Sequence, residues 1–133
     1  MYSSLIMQYN IPRERIVILT KAYYAVFGPD DPVDLDLCRD TRDYSNQAGL
    51  SRTALFNQVD GSLKRLDTTY IDLLQIHRSD LDNVMAEETM KALHDLVQSG
   101  KVRYIGASSM WTWEFQHYNQ VAEVQRSLLS LVL

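Results

Sequence analysis

The sequence is poor in cysteine, proline and glycine, and each shortage excludes some classes of protein to which the chain could belong. Its single cysteine, Cys38, cannot form an internal disulfide and has no partner for a CxxC redox or metal site, so a reducing, cytoplasmic compartment fits best. Three prolines, five glycines and a hydrophobic content of 46% exclude a collagen-like or disordered chain. The composition predicts a packed core.

Long basic runs and long apolar runs are also missing. Thirteen Lys and Arg oppose seventeen Asp and Glu, so nothing in the sequence could follow a nucleic-acid backbone. The opening MYSSLIMQYN lacks the features of a secretory signal, and no window approaches the roughly 20 apolar residues of a membrane span. The closing SLLSLVL is too short for an anchor. We therefore expect a soluble, cytoplasmic protein that binds neither nucleic acid nor membrane.

Three short apolar runs predict buried strands: IVILT at Ile16 to Thr20, YIDLLQI at Tyr70 to Ile76 and VRYIGA at Val102 to Ala107. The first is continuously apolar and rich in β-branched residues. This pattern is typical of a parallel strand that is covered on both faces. Because parallel strands need helical crossovers, we expect a helix after each run.

Helical spacing of apolar residues follows all three runs. Ser51 is a candidate N-cap, preceded by Leu50, which can staple onto Leu55 inside the helix. The second helix is predicted to end at Ser99-Gly100, and the third follows Ser109. The apolar positions of the three predicted helices are Leu55, Val59, Leu63 and Leu66; Met90, Leu93 and Val97; and Trp111, Phe115, Tyr118 and Ala122.

Three βα units in 133 residues predict an α/β fold, either an open doubly wound sheet or part of a closed barrel. The sequence has no GxGxxG and no P-loop, which disfavours a nucleotide-binding open sheet and leaves a flavodoxin-like domain as the weaker alternative. The connection over residues 22–49 far exceeds the usual loop of about two to six residues. It is either a substrate lid or a solvated insertion.

Polar residues end each apolar run, where barrel enzymes assemble their active sites. Lys21 could be a rim lysine that extends into water, and His77 could be a structural histidine or a donor to a substrate carbonyl. The hydroxyls of Ser108 and Ser109 could bind a ligand or cap the following helix. His94 and His117 have no partner at ligand spacing, so we expect no metal site.

Three strings in order, ILTK, SLKRLDTTYIDLLQIHR and SGKVRYIGASS, together resemble the aldo-keto reductases, most closely the fungal and channel-subunit-like branch. The resemblance covers nearly all of residues 11–124. It implies an incomplete (β/α)8 TIM barrel, a single partial domain over residues 1–133 that contains barrel strands three to five. It also implies an NADP(H)-dependent enzyme that reduces an aldehyde or ketone to an alcohol.

The resemblance also implies roles for particular residues. Lys21 would stabilise the tyrosinate of the proton donor, and His77 would orient and polarise the carbonyl. Ser108 and Ser109 would hydrogen-bond the nicotinamide carboxamide; the family often has asparagine at the second position, so Ser108 matches more closely. We do not expect the neighbouring tyrosines, at positions 23 and 24, to replace the family's own tyrosine.

The departures from the family pattern limit what this chain is expected to do. Met1 to Asn10 resemble the end of the helix before barrel strand three, so the aspartate and tyrosine of the catalytic tetrad have no counterpart, and neither do the last three βα units. We expect little or no turnover by the chain alone, weak NADPH binding and self-association through exposed sheet edges. An inactive truncated product or a partner-binding module is the alternative.

Overall fold

The computed structural model describes residues 9–27, 44, 46–125 and 131. A short 3₁₀ turn at Arg13–Arg15 precedes three alternating strands and helices. These are β1 (Leu19–Ala22), α1 (Arg52–Leu66), β2 (Ile71–Ile76), α2 (Ala86–Gln98), β3 (Val102–Ala107) and α3 (Thr112–Val124). The described residues therefore contain three βα units, as the sequence predicted.

The three strands form one parallel sheet in the order β1-β2-β3. In the register, Lys21 lies opposite Gln75, and Gln75 lies opposite Gly106. Parallel strands in sequence order, each followed by a helix, are the arrangement of a partial (β/α) barrel. The prediction of an α/β fold with parallel strands is confirmed.

The sheet has one covered face and one open face. On the covered face, Leu74, Ile76 and Ala107 are buried together with residues of all three helices. On the open face, Leu19 is 57% exposed and Tyr104 is 68% exposed. The core therefore lies between the sheet and its helices, and the opposite face of the sheet presents its side chains outward.

The first strand begins three residues later than predicted and is not covered on both faces. Two side chains form hydrogen bonds with the backbone just before it. Arg13 Nη1 donates to the Ile16 carbonyl at 2.8 Å, and the Ile18 N–H donates to the Asp72 carboxylate at 2.9 Å. The predicted burial of the run on both sides was wrong, because Leu19 belongs to the open face. Lys21 consequently lies within the strand rather than beyond its end.

The helix boundaries agree with several local signals in the sequence. The Ser51 hydroxyl accepts from the Ala54 N–H at 3.3 Å, which confirms the predicted N-cap of α1. The helix α2 ends at a C-cap at Ser99, and Gly100 follows with φ of 77°, a left-handed conformation that glycine adopts without a Cβ penalty.

The start of α3 differs from the prediction in two respects. Its N-cap is Trp111, whose backbone N–H donates to Glu114 Oε2 at 2.6 Å, so neither serine of the SS pair caps it. The indole of Trp111 is 73% exposed, although its spacing had placed it on the buried face with Tyr118 and Ala122. A residue at the cap lies outside the helical repeat, and its side chain does not follow the helical face.

Some predictions concern residues outside the described ranges. They include the nature of residues 28–43 and 45 in the long connection, the role of Cys38 and the conformation of residues 1–8. In the C-terminal SLLSLVL, Leu131 is described: it is buried, and its N–H donates to Asn119 Oδ1 at 2.7 Å. Among the described residues, no helix is both long and apolar enough to span a membrane.

Candidate active site at the carboxyl rim of the sheet

The carboxyl ends of the three strands lie side by side and place several polar residues along one rim. Lys21 of β1 pairs with Gln75 of β2, and alternation along that strand puts His77 on the same side two residues later. Gln75 pairs with Gly106 of β3, so Ser108 extends from the same side of the third strand. The four predicted site residues are therefore gathered at one edge of the open face.

Lys21 is linked directly to the end of the third strand. Its ammonium Nζ donates to the Ser108 hydroxyl at 2.9 Å, across a separation of 87 residues in sequence. The hydroxyl of Ser109 lies 3.4 Å from that of Ser108. Because Lys21 supplies the proton of its bond, the Ser108 hydroxyl can donate its own proton to Ser109 Oγ or to a ligand.

Ser109 has a left-handed backbone, with φ of 49°. Such a conformation is uncommon for a residue with a side chain, and it occurs here at the turn that leaves β3. It brings the two serine hydroxyls to the same rim. The pair therefore acts neither as a helix cap nor as part of the regular strand.

His77 is fixed by its backbone and covered by a ring. Its N–H donates to the Ala22 carbonyl at 2.9 Å, which extends the pairing of β1 with β2 by one residue. The imidazole lies against Tyr24, with ring centroids 5.5 Å apart and a tilt of 54° between planes. The sequence analysis expected only that Tyr24 would not replace the family's tyrosine, and no pattern in the sequence pointed to this contact.

The surroundings of His77 favour its neutral form. Partial burial lowers the pKa of His77 below its ordinary value of 6.5, and the positive charges of Lys21 and Arg78 lower it further. At neutral pH the imidazole is therefore largely uncharged, with one N–H that can donate and one nitrogen that can accept.

The rim combines groups that recognise a polarised oxygen. A fixed ammonium, a neutral imidazole and two hydroxyls lie on the open face, where a small molecule can approach them. A carbonyl or carboxamide oxygen would find hydrogen-bond donors here, and the serine hydroxyls can also accept from an amide N–H. The donor set therefore suits a ligand that carries a carbonyl or carboxamide oxygen.

His94 and His117 lie in α2 and α3 respectively, away from this rim. Within the part of the chain that the structure describes, no group of three or more His, Cys, Asp or Glu side chains is placed to hold a metal ion.

Sequence reasoning overlooked a buried carboxylate close to the rim. Asp80 follows His77 by three residues, is 7% exposed and accepts from the Leu50 N–H at 2.9 Å. The signal that could have found it is the run HRSD, in which an acidic residue lies four positions beyond the end of β2. Its contacts span the connections after β1 and β2.

Parallel βα units with polar side chains gathered at the carboxyl rim of the sheet are the arrangement of part of a (β/α) barrel. The sequence profile described as Aldo/keto reductase family matches residues 1–130. The chain therefore belongs to the aldo/keto reductase family, and the resemblance drawn from its sequence is confirmed.

Several curated fungal proteins are similar to the chain. The aldo-keto reductase AMT2 of Alternaria alternata is 54% identical over 123 residues, which cover 86% of this chain and 33% of that protein. The aldo-keto reductase dtxS3 of Metarhizium robertsii is 50% identical over 125 residues, covering 89% and 34%. The versiconal hemiacetal acetate reductase of Aspergillus parasiticus is 53% identical over 120 residues, covering 86% and 34%. The chain thus spans about a third of the length of these relatives.

Proposed function

We propose that this chain forms part of an NADP(H)-dependent oxidoreductase that reduces an aldehyde or ketone to an alcohol. It would contribute barrel strands three to five as one partial domain over residues 1–133. The observation that carries the proposal is the convergence of Lys21, His77 and Ser108 on one rim, with Lys21 bonded to Ser108 at 2.9 Å. The single cysteine of the sequence supports a cytoplasmic location for the protein.

The rim residues divide into a catalytic pair and a cofactor pair. His77, neutral at physiological pH, would donate a hydrogen bond to the substrate carbonyl oxygen and orient it. The ammonium of Lys21 would stabilise the anion of a neighbouring proton donor and so lower its pKa. Ser108 and Ser109 would hold the carboxamide of a bound NADP(H), which supplies the hydride. The hydrogen bond from Lys21 to Ser108 joins the two pairs and supports their belonging to one site.

The reduction also needs a proton for the carbonyl oxygen, and we propose that its donor lies outside this sequence. In the family pattern the donor is a tyrosine that is accompanied by an aspartate, and neither has a match here. Tyr23 and Tyr24 follow Lys21 directly, and Tyr24 packs on His77 instead of projecting beyond it. Without a positioned acid, the chain alone would turn over slowly or not at all.

The test uses the polypeptide that carries this sequence in its natural reading frame. With NADPH and a panel of aldehydes, absorbance at the reduced nicotinamide band should fall, and Lys21→Met should lower kcat/KM by about a hundredfold or more. Lys64→Met, which removes an exposed lysine of α1, is the matched control and should leave the rate unchanged. Absence of NADPH consumption, or a Lys21→Met variant as active as the parent, would contradict the proposal.

The open face of the sheet favours a second candidate, a non-catalytic module that assembles with itself. In the described sheet, β1 and β3 are the edge strands, and Leu19 and Tyr104 expose apolar surface beside them. Edge strands and exposed apolar residues promote association between chains. Sedimentation of the polypeptide that carries this sequence in its natural reading frame distinguishes the candidates: a stable dimer that does not consume NADPH favours the module, whereas an active monomer excludes it.

A further inference from the structure

The buried carboxylate of Asp80 joins two loops at the carboxyl side of the sheet. Its Oδ2 accepts from the Leu50 N–H at 2.9 Å, and its Oδ1 accepts from Asn83 Nδ2 at 2.8 Å. Its backbone carbonyl accepts from the N–H groups of Asn83 and Val84. The carboxylate therefore closes the turn after β2 and at the same time holds Leu50, the residue before the N-cap of α1.

The segment that Asp80 holds is the C-terminal end of the long connection between β1 and α1. Gly49 has φ of 82°, and a Cβ at this position would lie 2.5 Å from Asp80 Oδ2. The Gly49 N–H donates to the Tyr23 carbonyl at 2.7 Å, so the two ends of the connection are joined at its base. Gln58 Nε2 donates to the Gly49 carbonyl at 3.1 Å, and Thr89 Oγ1 donates to the Leu50 carbonyl at 3.1 Å.

This closed base determines where Tyr24 lies. Tyr23 packs against the core while its carbonyl is held by Gly49, and the ring of Tyr24 stands edge-on to it with centroids 5.2 Å apart. The ring of Tyr24 then lies on the imidazole of His77. The contacts form a continuous path from Asp80 through Gly49 and Tyr23 to the cover over His77.

We propose that Asp80 is a positioning residue for the active site: it holds the base of the β1–α1 connection so that Tyr24 covers His77. The inference rests on the proposed function for its catalytic meaning, since His77 is the carbonyl-binding group of that proposal. The geometric part of the inference, that Asp80 places Tyr24 over His77, does not depend on catalytic turnover. Asp80 would act through other residues, since its carboxylate contacts the Leu50 N–H and the Asn83 side chain.

The charge on Asp80 and its positioning effect have opposite consequences for the pKa of His77, so titration can separate them. Among the described residues, the groups that face the imidazole are Lys21 on β1, the adjacent Arg78, and the Tyr24 phenol ring from the connection. Loss of a nearby anion makes the imidazolium less favourable and would lower the pKa. Loss of the Tyr24 cover admits water and would raise the pKa towards 6.5.

The experiment follows the His77 imidazole protons of the whole chain by NMR as a function of pH. Asp80→Asn should raise the pKa of His77 and abolish the cross-peak between the Tyr24 and His77 rings. Asp82→Asn removes the same charge from an exposed site two residues away and should do neither. Continued exchange protection of the His77 N–H, which is bonded to Ala22, reports that β1 and β2 remain paired.

Three further variants keep the proposal testable if Asp80→Asn fails to fold. Gly49→Ala forces a Cβ against Asp80 and should also raise the pKa of His77. Gly100→Ala is its control, because it imposes a comparable left-handed strain at φ of 77° with nothing within 4 Å, and it should leave the pKa of His77 unchanged. Tyr24→Ala should raise it directly. An unchanged or lowered pKa in Gly49→Ala or Tyr24→Ala overturns the proposal, and so does a retained ring cross-peak in folded Asp80→Asn. None of these measurements depends on NADPH consumption, so this inference and the proposed function can fail separately.

Discussion

Replacing Asp72 by asparagine should destabilise the sheet strongly at neutral pH. The Asp72 carboxylate is 13% exposed and accepts from Arg13 Nη2 at 2.7 Å and from the Ile18 N–H at 2.9 Å. Arg103 of β3 lies 3.9 Å from its other oxygen. One side chain on β2 thus contacts the segment before β1 on one side and β3 on the other.

The magnitude follows from which contacts asparagine can keep. Arg13 Nη2 and the Ile18 N–H both donate to Oδ2, so an asparagine oxygen in that place can accept from both, but the negative charge beside Arg13 and Arg103 is lost. A hydrogen bond to a charged group contributes about 1.5–3 kcal/mol, and removing one partner of a buried pair costs about 3–5 kcal/mol. Because the guanidinium of Arg13 keeps 22% exposure and can rehydrate in part, we expect a loss of about 2–3 kcal/mol.

The dependence on pH gives a second, independent check. Burial alone raises the pKa of Asp72, but the Ile18 N–H and the charges of Arg13 and Arg103 outweigh it and hold the pKa below the ordinary value of 3.8. A depressed pKa in the folded state means that the stabilisation is complete above 3.8 and is lost as the pH falls through the folded value. The difference between the parent and Asp72→Asn should therefore shrink in acid.

Urea unfolding followed by circular dichroism measures both effects. A loss of this size should lower the neutral-pH midpoint by about 1–2 M, since the denaturant slope for small domains is about 1–3 kcal/mol/M. Asp60→Asn is the control, because Asp60 is 55% exposed in its ion pair with Lys101 and should cost less than about 1 kcal/mol. Equal midpoints for the parent and Asp72→Asn at neutral pH, or a difference that persists undiminished in acid, would refute the reasoning.

Two further predictions concern α1 and α3. Ser51→Ala removes the oxygen that accepts from the Ala54 N–H and should lower the unfolding free energy by about 1 kcal/mol, whereas an unchanged urea midpoint would show that this cap contributes nothing. Burial raises the pKa of the Tyr118 phenol above its ordinary 10.0. The contribution of Tyr118 to the free energy of unfolding is therefore complete below that value and should be lost as the pH rises through the folded pKa. A Tyr118→Phe variant with the same alkaline slope in urea unfolding would contradict this assignment.

Local patterns were sufficient to predict most of the fold. The apolar repeats of α1 and α2 bury Leu55, Val59, Met90 and Leu93 completely, because residues three and four apart share one helical face. Ser51 and Gly100 mark helix ends through side-chain and backbone chemistry that acts within a few residues. Such signals can be read from the sequence because both partners in each interaction lie close together along the chain.

What the sequence could not predict depends on partners distant along the chain. The start of β1 is moved by Asp72, which lies 54 residues from Ile18. The cover of Tyr24 over His77 likewise depends on Asp80 holding Leu50, a contact across 30 residues. The exposure of Trp111 has a local cause instead: it is the N-cap of α3, and its N–H donates to Glu114 three residues later. In each case the deciding interaction has no periodic pattern.

The candidate site itself depends on strand register. Lys21 faces the rim because it pairs with Gln75, and a slip of β1 by one residue would turn its ammonium to the covered face, where Ala22 is now 2% exposed. Moving a lysine into that core would cost several kcal/mol by desolvation, unless its amine became neutral. The Asp72 contacts with Ile18 and Arg13 precede β1 directly and oppose such a slip. A buried carboxylate at the amino end of the sheet thus helps to place the charged residue at its carboxyl end, and Asp72→Asn should weaken the bond from Lys21 to Ser108 as well as the fold.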